Sequence, residues 1–189
     1  SASPFLDAAI QAVNEGGLLC ITCTDLAVLS GNNPEICYNK YGSVPTKGRY
    51  YHEMAARILL HAIQQIASKY KRFIIPMTSC VIDFYTRVFV RVYTSPSEVK
   101  KVCLREGLIA QSLGCASYYI QPIAQTNSTG TNYGAGHGPT FPTPLCDETG
   151  AKYKFGGPIW ISPMHDLRPF PIPKEESNEK DNHVNEGKR

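Results

Sequence analysis

The stretch Gly16 to Gly31, GGLLCITCTDLAVLSG, constrains the fold of this 189-residue chain more than any other. Two glycines halt whatever precedes them, and Leu18-Leu19-Cys20-Ile21-Thr22-Cys23 follows with no charge until Asp25. A short apolar run bounded by Gly-Gly and Thr-Asp predicts a strand buried on both faces, as in parallel sheets. Upstream, apolar residues recur at Phe5, Leu6, Ala9, Ile10 and Val13, with Ser3 placed to cap and Pro4 in the first turn, which predicts a helix. Helix, glycine stop and buried strand make half of a crossover unit, and the strand it should cross from is missing. The chain opens inside that helix cap without Met, which reads as an excised piece or processed product.

Downstream, Asp25 is placed to cap a turn at Leu26–Leu29, and Asn32 to Gly48 reads as a loop. Such a loop, just past the carboxyl end of a buried strand, is where open α/β sheets bind ligands. Arg49 to about Tyr70 is the strongest helix, with an apolar stripe from Tyr51 to Tyr70 and with Glu53, Arg57, His61, Gln64 and Ser68 on a polar side. His61 is read as a residue of that polar face. Phe73–Ile82 and Phe84–Tyr93 form a hairpin joined at Asp83, with Arg87 and Arg91 on one face of the second strand. Pro76 demands an edge or a bulge. Ser95 starts a short helix or turn, brief strands follow at Leu108–Leu113 and Ser117–Ile123, and Gln125–Pro144 reads as a long loop. Tyr153–Trp160 reads as a last strand pair around Gly156-Gly157-Pro158. The tail from about Pro171 carries no apolar stripe and is expected to be disordered.

With 42% hydrophobic residues, the chain can bury one good core or two small ones. A net charge of +3 names no partner, but Lys40 to Arg105 holds twelve basic residues against three acidic ones. That excess suits phosphate or a merely solvated surface. No run is long and apolar enough to span a bilayer and no signal peptide opens the chain. Seven scattered cysteines fit a reduced, intracellular compartment better than a disulfide framework.

Several motifs invite chemistry. Cys20 and Cys23 form a C-x-x-C, but residues three apart on a strand point to opposite faces, which favours core packing over shared metal. The glycines of 130–138 lack both the P-loop lysine and the strand–helix context of a dinucleotide site. His137, His165 and Asp166 could suggest a metallo-hydrolase, yet nothing supplies a nucleophile or enough ligands. Asp25 either caps the following turn or faces a substrate, which makes it the one catalytic candidate. Tyr38, Lys40, Tyr41, Lys47, Arg49, Tyr50 and Tyr51 interleave rings and cations as unstacked bases and phosphates require. The same tyrosines could instead pack on the sheet edge.

Together SASPFLDAAIQAV, the stretch from Gly16 to Ser43, YYHEMAARILLHAI, DFYTRVFVRVYTS and GGPIWISPMHDL resemble, in order, the tRNA (guanine(26)-N2)-dimethyltransferase family. The resemblance implies an α/β fold: the C-terminal half of a class I, Rossmann-like methyltransferase sheet over residues 1–94, then a small β-rich RNA-facing domain over 95–170, with a disordered tail at 171–189. The strand at Leu18 would be the fifth, the helix at Arg49 its crossover and the hairpin the closing pair. It implies S-adenosylmethionine as cofactor, held mostly by loops outside this chain, with Ser1, Ser3, Pro4 and Phe5 beside the cofactor motif. The catalytic carboxylate would sit in an Asp-Pro-aromatic-Gly segment ending just before Ser1. It also implies tRNA as partner, neither DNA nor membrane, with Tyr38, Lys40, Tyr41, Lys47, Arg49, Tyr50, Lys69, Lys71, Arg72, Arg87, Arg91, Lys100, Lys101 and Arg105 as RNA contacts. Family members carry two C-x-x-C pairs. Here they read Ser112…Cys115 and Cys146…Thr149, so Cys115 and Cys146 are left as the metal candidates, with no zinc or a weak one expected. The alternative is a non-catalytic RNA-binding or structural fragment or isoform.

Overall fold

The computed structural model describes residues 1–127, 129–130 and 132–166; the tail at 171–189 lies outside the described residues. A 3-10 turn at Ser3–Phe5 leads into helix α1 (Leu6–Ala12), strand β1 (Leu18–Cys23) and helices α2 (Leu26–Leu29) and α3 (Pro34–Tyr41). Ser3 does not cap the first helix; its hydroxyl donates to the Lys40 carbonyl at 2.9 Å. Helix α3 replaces most of the expected loop. Asn33 and Pro34 begin it, and Gly42 ends it in the left-handed conformation at φ +69°.

Helix α4 (Tyr51–Lys69) then crosses back to the hairpin of β2 (Arg72–Ile82) and β3 (Tyr85–Thr94). Strand β3 lies between β1 and β2 and runs antiparallel to both. The outer two strands are therefore parallel to each other, with α4 as their crossover. The expectation that β1 is buried on both faces is corrected. Pairing on one edge and alternating between core and open face, it buries Ile21 and Cys23 but leaves Leu18 51% exposed and Cys20 exposed. Pro76 sits on the edge strand β2, and the register slips between Pro76 and Thr78. Thr86, Val88, Val90 and Val92 of β3 are buried, while Tyr85, Arg87, Phe89, Arg91 and Tyr93 share the other face, as the alternation predicts.

A second layer follows: helix α5 (Pro96–Lys100), capped by the Ser95 hydroxyl, then β4 (Glu106–Ser112), β5 (Tyr118–Pro122), β6 (Ala124–Thr126), β7 (Tyr133–Ala135) and β8 (Tyr153–Trp160). Strand β4 is central, antiparallel to β5 and β8. The β6–β7 ribbon occupies part of the stretch read as a long loop. Strand β8 runs unbroken through Gly156-Gly157-Pro158 instead of splitting into a pair.

This second sheet covers the side of α4 that the sequence assigns to solvent. Ile109, Ile159 and Trp160 join Met54, Ile58, Leu59 and Ile63 in one core. His61 is accordingly buried, a correction to its polar-face reading: Glu106 Oε1 accepts from His61 Nδ1 at 3.0 Å and from Gln65 Nε2 at 2.6 Å. Arg57 pairs with Glu53 at 2.8 Å and donates to the Trp160 and Ser162 carbonyls. Buried Gln64 accepts from the Ile74 amide at 2.9 Å. The molecule is an α/β fold whose two three-stranded sheets share one helix. Among the described residues no helix is long and apolar enough to cross a membrane.

Candidate functional site

Strand β1 delivers Cys23 to the core and leaves Asp25 just past its carboxyl end, where the last turn of α3 meets it through buried Tyr41. Asp25 stands at the N-cap of α2, yet its carboxylate makes no cap. Oδ1 accepts from the Tyr41 hydroxyl at 2.9 Å and the Cys23 thiol at 2.6 Å. Oδ2 lies 3.0 Å from the same hydroxyl and 3.3 Å from Lys40 Nζ. Burial opposes the charge on Asp25, but the donors Cys23, Tyr41 and Lys40 outweigh it and hold the carboxyl below the ordinary carboxylate range. Burial first, and then Asp25 itself, pushes Cys37 up to about 12. A carboxylate held this way is charged at neutral pH and a weak base, suited to fixing α3 against β1 rather than to taking a proton.

The four residues expected beside the cofactor lie next to this cluster. The Ser1 hydroxyl is 3.2 Å from that of Tyr41, and Ser3 donates to Lys40. Pro4 and Phe5 are exposed. The two hydroxyls are turned onto α3 and no carboxylate stands among the four, so these residues do not by themselves make a cofactor cradle.

The expected RNA contacts fall into distinct environments. Tyr41 and Arg72 are interior, which corrects their assignment to an RNA surface. Tyr41 is held on Asp25, and the Arg72 guanidinium donates to the backbone carbonyls of Ile10 and Asn14. Arg87 braces the sheet, donating to Thr22 Oγ1 at 2.8 Å with its guanidinium 5.3 Å from the Tyr85 ring centre. Arg91 donates to the Gly16 carbonyl at 2.8 Å. Lys101 and Arg105 both pair with Glu98, at 2.6 and 2.8 Å. Lys40, although paired with Asp25, is exposed, as are Tyr38, Lys47, Arg49, Tyr51, Lys69, Lys71 and Lys100. Tyr50 is half-buried against the second sheet, its hydroxyl donating to Gln111 Oε1 at 2.6 Å and its ring 5.1 Å from that of Tyr118. With Gly48 and Arg49 these residues line an open cleft of about 670 Å³. Sequence reasoning missed Gln111 and Tyr118, because only the pairing of β4 with β5 brings them beside Tyr50.

Cys115 and Cys146 do meet, their sulfurs 3.7 Å apart. The Ser112 hydroxyl first, then that of Thr149, donates to Cys146 and pulls its thiol below the ordinary range. Two thiols backed by two neutral hydroxyls do not fit a tetrahedral structural zinc, which is built on three or four thiolate or imidazole ligands. Among the described residues no group of three or more His, Cys, Asp or Glu could hold a metal ion. His165 lies against Thr78 and Ser79 of β2, whereas His137 lies beside the β6–β7 ribbon. Cys20 and Cys23 do face opposite ways, but exposed Cys20 is not a core residue.

A family profile described as N2,N2-dimethylguanosine tRNA methyltransferase matches residues 1–188. The tRNA (guanine(26)-N(2))-dimethyltransferase of Mus musculus is 46% identical over 170 residues, 88% of this chain and 26% of the mouse protein. The tRNA (guanine(26)-N(2))-dimethyltransferase 1 of Arabidopsis thaliana is 50% identical over 166 residues, covering 87% and 28%. The mitochondrial tRNA (guanine(26)-N(2))-dimethyltransferase of Saccharomyces cerevisiae is 39% identical over 200 residues, covering 99% and 35%. The chain thus spans only about a quarter to a third of the length of these curated relatives. The structure of Trm1 from Pyrococcus horikoshii with S-adenosyl-L-methionine superposes with a TM-score of 0.68 at 28% identity, covering 88% of this chain and 38% of that one.

Proposed function

Because this chain belongs to the N2,N2-dimethylguanosine tRNA methyltransferase family, we propose that it forms part of an enzyme that methylates the N2 amine of guanine at position 26 of tRNA, with S-adenosylmethionine as methyl donor. On this reading, residues 1–94 complete one end of a Rossmann-like sheet, and the β-rich part from residue 95 faces the RNA inside the cell. The observation that carries it is the β1–α4–β2 crossover with β3 inserted antiparallel between parallel strands, in a chain that superposes on a relative holding S-adenosyl-L-methionine.

The chemistry divides accordingly. The exocyclic amine of guanine is a poor nucleophile because its lone pair is delocalised into the ring. It must be aimed at the methyl sulfonium and hydrogen-bonded by an acceptor as charge develops. Asp25, already engaged by three donors, does not serve; the acceptor and the cofactor loops belong to the rest of the enzyme. These residues supply the end of the sheet and a basic, ring-bearing surface for the tRNA.

Two measurements on the 189-residue chain test this reading. Calorimetric titration with S-adenosylhomocysteine should give no binding heat, while a tRNA transcript should bind with an affinity that falls as salt rises. Methyl transfer to tRNA by this chain alone would overturn the division of labour. Failure to bind tRNA at low salt would remove the RNA-facing role and leave a purely structural part.

A further inference from the structure

Where the second sheet meets the start of α4, three residues stand in one row across the strands. Tyr118 of β5 is paired with Gln111 of β4, which is paired with Lys154 of β8. Directly paired residues project from the same face of a sheet. Tyr50 leans over this row, its ring 5.1 Å from that of Tyr118 and inclined to it by 46°. Gly48 permits the approach, because a Cβ there would lie 2.7 Å from the Tyr50 ring. Lys154 Nζ donates to the Lys47 carbonyl at 2.7 Å and fastens the segment that carries Arg49 and Tyr50.

The cleft so formed has a polar group set into its wall. Gln111 is only 8% exposed, and its Oε1 accepts from the Tyr50 hydroxyl at 2.6 Å. With Oε1 turned to that hydroxyl, Nε2 makes no hydrogen bond among the described residues. The N–H groups of Nε2, at the wall of the cleft, can donate to an acceptor that enters it. Tyr118, 49% exposed, offers a flat apolar face beside it, and Arg49 is an exposed cation lining the same cleft. A bare phosphate would make no use of the rings, and an aliphatic side chain would leave the amide unpaired. A planar ring with acceptor atoms on its edge and an anionic backbone satisfies all three groups at once.

Building on the RNA reading above, we propose that this cleft holds one unstacked nucleobase of the RNA. The base stacks on Tyr118, an acceptor atom on its edge takes a hydrogen bond from Gln111 Nε2, and Arg49 meets the adjoining phosphate. Single-stranded bases are recognised in this manner, by stacking on rings and by hydrogen bonds to their edges.

The test measures binding of a tRNA transcript across a salt series for the 189-residue chain and four variants, with circular dichroism as the check on folding. Tyr118→Ala should weaken binding about tenfold with the salt slope unchanged, and Tyr118→Phe, which keeps the stacking face, should stay within about twofold. Gln111→Glu keeps an oxygen for the Tyr50 hydroxyl but replaces the donor, and should weaken binding severalfold. Arg49→Gln should lower the salt slope by about one. If Tyr118→Ala does not fold, Gln111→Glu and Tyr118→Phe decide the matter. Unchanged affinity in Tyr118→Ala and Gln111→Glu overturns the base site and leaves the RNA reading intact. Equal losses in Tyr118→Ala and Tyr118→Phe overturn stacking. No binding by the unaltered chain overturns the RNA reading itself.

Discussion

Replacing Tyr41 with Phe deletes one hydroxyl from a ring that is 3% exposed and leaves the packing of α3 otherwise intact. That hydroxyl is shared by Asp25 Oδ1 at 2.9 Å and Oδ2 at 3.0 Å, with Cys23 Sγ 2.8 Å away. A hydrogen bond to a charged group contributes roughly 1.5–3 kcal/mol. The Asp25 side chain is 14% exposed, so water replaces little of the loss. Tyr41→Phe should therefore cost about 2 kcal/mol at pH 7, or about 4–8 °C in Tm for a chain of this size. The pH dependence separates this from a packing defect. The Asp25 pKa is lower in the folded than in the unfolded state, so its contribution is full above the unfolded value and is lost as pH falls through the folded one. The stability gap between the two proteins should accordingly narrow from about pH 5 downward as Asp25 takes up its proton. Trp160, the one tryptophan and 2% exposed, reports unfolding in urea through its fluorescence. The Asp25→Asn and double variants complete a cycle whose coupling should be at least about 1 kcal/mol. A gap of the same size at pH 7 and pH 3, or strict additivity, would refute the reasoning.

Three further expectations follow from other contacts. Glu106→Ala leaves two donors, buried His61 and Gln65, with no acceptor and should cost about 3 kcal/mol in urea unfolding, whereas Glu106→Gln, which keeps an oxygen there, should cost markedly less. Equal losses would mean that packing, not the acceptor, holds the two layers. Mild oxidation with hydrogen peroxide, reduced to water as two thiols become a disulfide, should join Cys115 to Cys146 first among the seven cysteines, since their sulfurs are already 3.7 Å apart. Peptide mapping that finds another pair first would contradict the geometry. Gly156→Ala would set a Cβ 2.7 Å from the Val44 carbonyl oxygen and 2.6 Å from a Thr46 methyl, so it should destabilise the chain by about 1–3 kcal/mol. Unaltered urea stability would show that the segment yields freely.

Local pattern carried the reading of α4, the β2–β3 hairpin with its bulge at Pro76, and the Ser95 cap, since each is a matter of neighbours within a few residues. Helix α3 was harder, because its two buried residues, Cys37 and Tyr41, make too narrow a stripe to stand out among Asn, Lys and Tyr. Its Asn33-Pro34 start and Gly42 stop were the available signals. The apolar run of β1 could not distinguish a strand covered twice from one covered once. The polar side of α4 misled for a related reason: periodicity describes a helix with one partner, and this helix has two. His61, Arg57 and Gln65 meet Glu106 and the Trp160 carbonyl, residues 41 to 103 positions away along the chain. At the sites, its place at a strand end singles out Asp25, but its partner Tyr41 reads in sequence as an RNA contact. Gln111 went unnoticed because a glutamine on a strand says nothing until its register with Tyr118 is known.

The segment from Lys40 to Tyr50 joins the Asp25 cluster at one end to the Gln111 cleft at the other. It is not a free tether. Val44 and Gly157 exchange backbone hydrogen bonds at 3.0 and 2.8 Å, Thr46 is buried, and the Lys47 carbonyl is held by Lys154. These anchors lie on β8 and stand between the two sites, so a disturbance of Tyr41 is absorbed before it reaches Tyr50. Tyr41→Phe should therefore lower stability while leaving tRNA affinity within about twofold, whereas Gly156→Ala, which acts on the anchors themselves, should lower both. Parallel losses of affinity in the two variants would mean that the segment moves as one piece and that α3, rather than β8, sets the position of the cleft.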